Sequence, residues 1–151
     1  VQTCALPILT LAIIEGLVVG VGQERYILPI FVVREIFRPS ADSLFTLEGR
    51  DEMVMVRGRL LPVVRLWQRF GVRPRREAAE DALLVVVVEA AGKVFCLMVE
   101  DLIGKQEVVI KSLGETFKRV RGIAGGAILG DGRVGLILDV DGLFGVRADA
   151  G

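Results

Sequence analysis

Two aspartates stand one residue apart near the C-terminal end, in GRVGLILDVDGLFG, residues 132–145. Asp139-Val140-Asp141-Gly142 has the residue types for a divalent-cation loop or for a carboxylate pair doing acid–base work. A calcium loop needs more oxygen ligands and a glutamate at its twelfth position. Counted from Asp139 that position is Ala150, which excludes the loop. The carboxylate pair stays open on sequence alone. The competing reading is structural: Asp139 ends a strand and caps a short helical turn, Val140 to Phe144, by accepting backbone N–H groups.

Other chemistry is sparse. The chain has no histidine, so the commonest general base and the commonest metal ligand are missing. Ser43, Ser112 and the threonines lack a histidine to activate them as nucleophiles. Cys4 and Cys96 lie too far apart for a metal-binding spacing, and Cys96 sits in an apolar run, as a buried, inert thiol would. Gly20-Val21-Gly22 and Gly125-Gly126 with Gly130-Asp131-Gly132 have no Gly-Lys-Ser/Thr and no βαβ setting, so they read as turns and not as phosphate cradles. Trp67 and Phe70, three apart, read as packing residues before a ligand platform. No catalytic residue, cofactor site or metal site is expected.

The 151 residues fit one compact unit or two very small ones. A chain of this length buries roughly 70% of its unfolded surface. Apolar residues make up 52% and aromatics 6%, so Val, Leu and Ile must build the core. Nineteen basic residues balance nineteen acidic ones. That neutrality argues against nucleic acid and gives no reason to expect a membrane surface. The apolar stretch that ends at Glu15 is shorter than the ~18 residues a membrane helix needs. Two cysteines and no recognisable signal peptide suggest a cytoplasmic setting. Residues 1–8, VQTCALPI, read as a translated sequencing-library adapter and are set aside from fold reasoning.

The elements that must position these residues are short. Apolar runs at 9–14 and 17–21 flank Glu15-Gly16, and Arg25–Ile30 returns after a turn at Gly22-Gln23-Glu24. Phe31–Phe37 is expected to form a helical turn, and residues 38–51 an irregular loop. Glu52–Arg57 and Leu60–Val64 read as strands around Gly58-Arg59, with Pro62 marking an edge or bulge. Leu66–Phe70 reads as a short helix stopped by Gly71. Residues 72–81, VRPRREAAED, read as a charged, solvated linker. Ala82–Glu89 is a strand buried on both faces, and Val94–Val99 returns after Ala90-Ala91-Gly92. Glu100–Ile103 is expected to turn helically, Glu107–Ile110 to form a strand, and Leu113–Val120 to be mixed. Gly130-Asp131-Gly132 between Ile123–Leu129 and Arg133–Leu138 is a hairpin signal. About ten short strands with turns roughly every 8–12 residues predict an all-β chain of small barrels or a sandwich.

A repeat underlies this order. GRLLPVVRLWQRFG, residues 58–71, aligns without a gap on GRVGLILDVDGLFG, residues 132–145, at an offset of 74. Tyr26–Ile30 matches Phe95–Val99 at an offset of 69. Two half-length units of one plan are the simplest account. Asp139 then falls opposite Arg65 and Asp141 opposite Trp67, which is not how a catalytic pair would be placed.

The same residues resemble a known family. Val56-Arg57-Gly58 followed by Leu61-Pro62-Val63-Val64-Arg65-Leu66 resembles the first-half signature of CheW-like domains. Val109–Gly114 and Gly122–Arg133 resemble the second half, most like the C-terminal regulatory domain of the chemotaxis histidine kinase CheA. Leu9–Gly16 resembles the junction after that kinase's ATP-binding domain. The division this implies is residues 9–15 as the end of that preceding domain, 16–146 as the CheW-like domain and 147–151 as a tail. Gly126 beside Gly125 departs from the family's more usual Ala-Thr. The resemblance implies two pseudo-repeated five-stranded SH3-like barrels with short helical turns. It implies a non-catalytic regulatory and scaffolding role that couples chemoreceptor state to kinase activity. The implied partners are a CheW-type adaptor, the cytoplasmic tip of chemoreceptors and the rest of the kinase dimer, in membrane-associated receptor arrays without membrane insertion. A free CheW-type adaptor and a small-barrel nucleic-acid-binding module are the alternatives.

Partner contacts are expected at exposed apolar barrel ends, because Val, Leu and Ile exceed what two tiny barrels enclose. The candidates are Val54, Val56, Arg57, Leu60 and Pro62 in the first half, and Ile123, Ala124, Ile128 and Leu129 in the second. Val32, Val33 and Ile36 are candidates for a groove that takes a receptor helix. Core packing is the competing role for each.

Overall fold

The computed structural model describes residues 12–47, 51–74, 83–111, 122–140 and 142–143. In chain order the strands are β1 (Ala12–Val21), β2 (Glu24–Pro29), β3 (Val33–Phe37), β4 (Leu44–Leu47), β5 (Asp51–Val56) and β6 (Arg59–Arg65). A helix α1 (Leu66–Phe70) follows, then β7 (Leu84–Ala90), β8 (Lys93–Val99), β9 (Asp101–Lys111), β10 (Ile123–Ile128) and β11 (Val134–Leu138). The class is all-β, as expected, and the strands form two units.

One unit is a closed five-stranded barrel in the order β9-β10-β11-β2-β1. The other is a six-stranded sheet in the order β3-β7-β8-β6-β5-β4. Its extra strand, β4, lies in the stretch expected to be irregular, because four residues between polar turns give little periodicity to read. Each unit contains one parallel pair. In the barrel β11 runs parallel to β2, with Ile137 opposite Ile27. In the sheet β6 runs parallel to β8, with Val63 opposite Cys96. The offset of 74 carries Val63 onto Ile137, and the offset of 69 carries Ile27 onto Cys96. The two sequence matches therefore describe one geometric unit present twice.

The halves are exchanged, however. The β1–β2 hairpin of the first half completes the barrel built from β9, β10 and β11 of the second. The β7–β8 hairpin of the second half pairs with β3 and β6 of the first. Neither half supplies all the strands of its unit alone.

This exchange explains the apolar surplus. On β1, Val18 points into the barrel while Leu17, Val19 and Val21 point toward the sheet. On β8, Cys96 and Met98 point into the sheet's own core while Phe95, Leu97 and Val99 point toward the barrel. Period-two alternation with both faces buried gives unbroken apolar runs. The largest of the three cores lies between the units and contains Tyr26, Leu66, Phe95 and Leu97. Tyr26 stacks on Phe70 there at 5.1 Å between ring centres. The surplus of Val, Leu and Ile thus serves mainly the seam and not the exposed barrel ends.

Several local expectations change. Glu15-Gly16 does not break the chain: β1 runs through it, and residues 13–15 pair with 107–109 of β9. A Cβ on residue 16 would lie 2.5 Å from Ile27 Cγ2, so packing and not turning explains this glycine. The division drawn at residues 15/16 thus falls inside a strand. Phe31–Phe37 is a single 3-10 turn, Ile30–Val32, followed by β3, as the β-branched Val32-Val33 favours. Glu100 is a bend and Asp101–Ile103 belong to β9, with a bulge between Leu102 and Gly104. Pro62 sits in an interior strand, where it pairs with Met53 on one side while the β8 ladder begins only at Val63. Helix α1 ends as expected, with Gly71 at φ 68° and its N–H on the Trp67 carbonyl. Residues 75–81 of the expected 72–81 linker, and the stretch 112–121, lie outside the described residues.

Candidate partner-binding surfaces

The aspartate motif has a structural placement. The Asp139 N–H donates to the Gly122 carbonyl at 2.8 Å, and its own carbonyl accepts from Leu143 N–H at 3.0 Å. A Cβ added to Gly142 would meet Asp139 Oδ2 at 2.9 Å, so the exposed carboxylate lies across the first helical turn. This is the position a capping residue occupies. Asp141 lies outside the described residues. Among the described residues no three or more of His, Cys, Asp and Glu gather as a metal site would require. Cys96 is fully buried, and burial first, then the Glu35 charge, pushes its thiol up to about 12.

Two charged groups make long-range ties, one between the units and one within the sheet. Glu100, at the crossover from sheet to barrel, is 2% exposed and accepts a 2.5 Å hydrogen bond from Gly22 N–H in the β1–β2 turn. Arg57 stands at the tip of the β5–β6 hairpin with φ 48°, a conformation few side chains adopt. Its guanidinium makes a two-pronged contact to Glu35 of β3, at 3.1 and 3.3 Å. Among the described residues β3 and the β5–β6 hairpin share no ladder, and this ion pair links them within the sheet.

A groove of about 590 Å³ opens where barrel meets sheet. Ile14, Phe31, Val32, Ala124, Leu138 and Val140 form its apolar walls, and Glu89 and Asp139 are its acidic groups. Phe31, 82% exposed, stands at the groove with almost its whole ring in solvent. Arg34 forms an ion pair with Glu89.

Each unit also presents an exposed apolar rung. In the barrel Ile128 faces Val134 across β10 and β11, at 62% and 65% exposure. The register continues to Val109 and Ile13, both exposed, so four strands contribute to one apolar row. In the sheet Met55 faces Leu60 across β5 and β6, at 38% and 42%. The offset of 74 carries Leu60 onto Val134, and the ladders then place Met55 where Ile128 stands. The repeat thus presents the same apolar pair twice, once on each unit.

The candidates divide by strand parity. Leu60, Ile128 and Ala124 are exposed, the last in the groove wall, and Arg57 is exposed beside the Met55–Leu60 rung. Val33, Ile36 and Pro62 are half-buried. Val32 is buried and lines the groove. Val54, Val56, Ile123 and Leu129 are buried core residues and support these surfaces from beneath, a correction to their expected exposure. Met55, Val134, Val109, Ile13 and Phe31 are exposed apolar residues outside the expected set. Alternation could have found Met55: if Val54 and Val56 face inward, the residue between them faces out.

Comparisons with known proteins agree with this architecture. A family model described as the CheW-like domain matches residues 15–148. The chain is 42% identical over 135 residues to the chemotaxis protein CheA of Klebsiella aerogenes, covering 89% of this chain and 21% of that protein. It is 43% identical over 132 residues to the sensor histidine kinase CheAY of Helicobacter pylori, covering 87% of this chain and 16% of that one. The chain therefore spans about a fifth or less of these relatives' length. The crystal structure of the scaffolding protein TtCheW from Thermoanaerobacter tengcongensis superposes with a TM-score of 0.64 at 21% identity, over 85% of this chain and 90% of that one. With its exchanged pair of β-units and a family match across nearly all of its length, this chain belongs to the CheW-like domain family.

Proposed function

We propose that this chain is the regulatory and scaffolding domain of a chemotaxis histidine kinase and binds a CheW-type adaptor through its two apolar rungs. The observation that carries the reading is the duplication itself: Met55–Leu60 and Ile128–Val134 are the same exposed pair at equivalent positions. The adaptor carries the same fold plan, so one rung of this chain can pack against the opposite rung of the adaptor. Such head-to-tail contacts close into rings or extend, as receptor arrays require. The similarity to CheA proteins supports the kinase as parent. The role of the chain is mechanical. It sets the position of the attached catalytic parts through coupling of about 1–3 kcal/mol between sites.

In this reading the groove between the units takes the helical tip of a chemoreceptor. Its apolar walls and the exposed Phe31 suit an amphipathic helix, and the exposed Asp139 favours a basic side chain on its flank. The proposal separates the two contacts physically. Phe31→Ala is expected to weaken binding of a receptor-tip fragment by about 2 kcal/mol, the scale of an aromatic hot spot. It should leave adaptor affinity unchanged, as measured by titration calorimetry of both ligands. Equal loss for both ligands, or for neither, would contradict separate sites.

A further inference from the structure

The two rungs match in position but not in chemistry. Met55 stands where the barrel carries Ile128, and Met53, two residues earlier on the same face of β5, pairs with Pro62 on one side and Phe45 on the other. Met55 is exposed, and Met53 is half-buried beside the exposed Phe45, so both methionines belong to an apolar patch that reaches solvent at Phe45, Met55 and Leu60. The remaining methionine, Met98, is fully buried in the sheet core, as is Cys96. The exposed row on the barrel, Ile13, Val109, Ile128 and Val134, contains no sulfur.

We infer that Met53 and Met55 form an oxidant-sensitive modification site that disables the sheet-side rung and spares the barrel-side rung. The inference rests on the docking reading above and adds regulation to it. The reagent class is a peroxide. The thioether sulfur attacks one peroxide oxygen, an S–O bond forms and the O–O bond breaks. The departing hydroxide takes a proton and leaves as water, so sulfur loses two electrons and the peroxide gains them. The product sulfoxide is polar and chiral, and it replaces an apolar surface that must lose its water on docking. A dithiol-dependent sulfoxide reductase would restore the thioether. Docking buries the rung, so a chain already bound to its adaptor is protected, and oxidation acts on free chains before assembly.

The test uses the full chain, hydrogen peroxide and a CheW-type adaptor from the same source. Peptide-mapping mass spectrometry should show one oxygen added at Met53 and at Met55 while Met98 stays unmodified. Met98 reacting as fast as Met55 in the folded chain would overturn the inference. Adaptor affinity should fall at least tenfold after oxidation. The double variant Met53→Leu, Met55→Leu, close to volume-conserving, should bind before and after peroxide alike. Affinity unchanged after oxidation of both residues overturns this inference alone. Absence of binding by the untreated chain overturns the docking reading and the inference with it.

Discussion

Replacing Gly22 by alanine tests how the two units are joined. Gly22 lies in the β1–β2 turn with φ 60°, and a Cβ there would sit 2.4 Å from the Arg73 carbonyl oxygen and 2.9 Å from Val72 Cγ1. The backbone oxygen cannot rotate aside, so the segment after α1 would have to move. The Gly22 N–H on Glu100 would shift with it. Gly58 is the natural control: its φ is 82°, and a Cβ there would meet nothing within 4 Å. Gly58→Ala therefore carries only the left-handed backbone cost, about 1 kcal/mol. Gly22→Ala carries that cost plus overpacking of about 1–3 kcal/mol. At ~2–4 °C per kcal/mol for a chain of this size, the losses are about 3 °C and about 6–12 °C. Thermal and urea unfolding followed by circular dichroism would measure both. Equal losses for the two variants would refute the close contact between the β1–β2 turn and residues 72–73.

Three further outcomes follow from the packing and the buried groups. Leu97→Ala, in the core between the units, should cost about 2–5 kcal/mol, whereas Leu60→Ala, on the exposed rung, should stay within about 0.5 kcal/mol in the same unfolding assay. Alkaline stability should fall in two stages, because burial first and then the Glu24 charge pushes Tyr26 from 10.0 up to about 12, and burial first and then the Glu35 charge pushes Cys96 from 9.0 up to about 12. Both groups are held neutral when folded, so their contribution is intact below pH 9 and is lost as pH rises toward 12, with a slope of at most about 1.4 kcal/mol per unit for each group; urea midpoints between pH 8 and 12 would show it, and Cys96→Ala should remove the stage that begins at pH 9. Arg57→Ala should cost no more than about 1 kcal/mol, since the Glu35 pair is mostly exposed, while amide exchange in β3, an edge strand, should rise because that ion pair ties it to the β5–β6 hairpin.

Much of the architecture was legible because the repeat is dense in information. The two offsets, 74 and 69, marked β6 as the counterpart of β11 and β2 as the counterpart of β8, the four strands that form the two parallel pairs. The exchange of hairpins was not legible, since a sequence repeat says which segments are alike and not which ones pair. The apolar runs Leu17–Val21 and Val85–Val88 look the same whether their outer faces meet solvent, a partner or the other unit. Only the fold shows that they meet each other. The same ambiguity placed Val54 and Leu129 among surface candidates and left Met55 and Val134 out, because identity alone does not give strand parity. The groove was half-legible. Val32 was expected there, but Phe31, the exposed aromatic beside it, was read only as part of a helical turn. β4 and the β9 bulge were hidden by short length and by Gly104, which interrupts the alternation.

The central claim is that equivalent apolar rungs on the two units dock the adaptor, and its most direct test is titration calorimetry of residues 9–151 with a CheW-type adaptor from the same source. Wild type should bind saturably, and Ile128→Asp and Leu60→Asp should each weaken binding at least tenfold while keeping the wild-type circular dichroism spectrum. Both aspartate variants binding as tightly as wild type, with the fold intact, would contradict the claim.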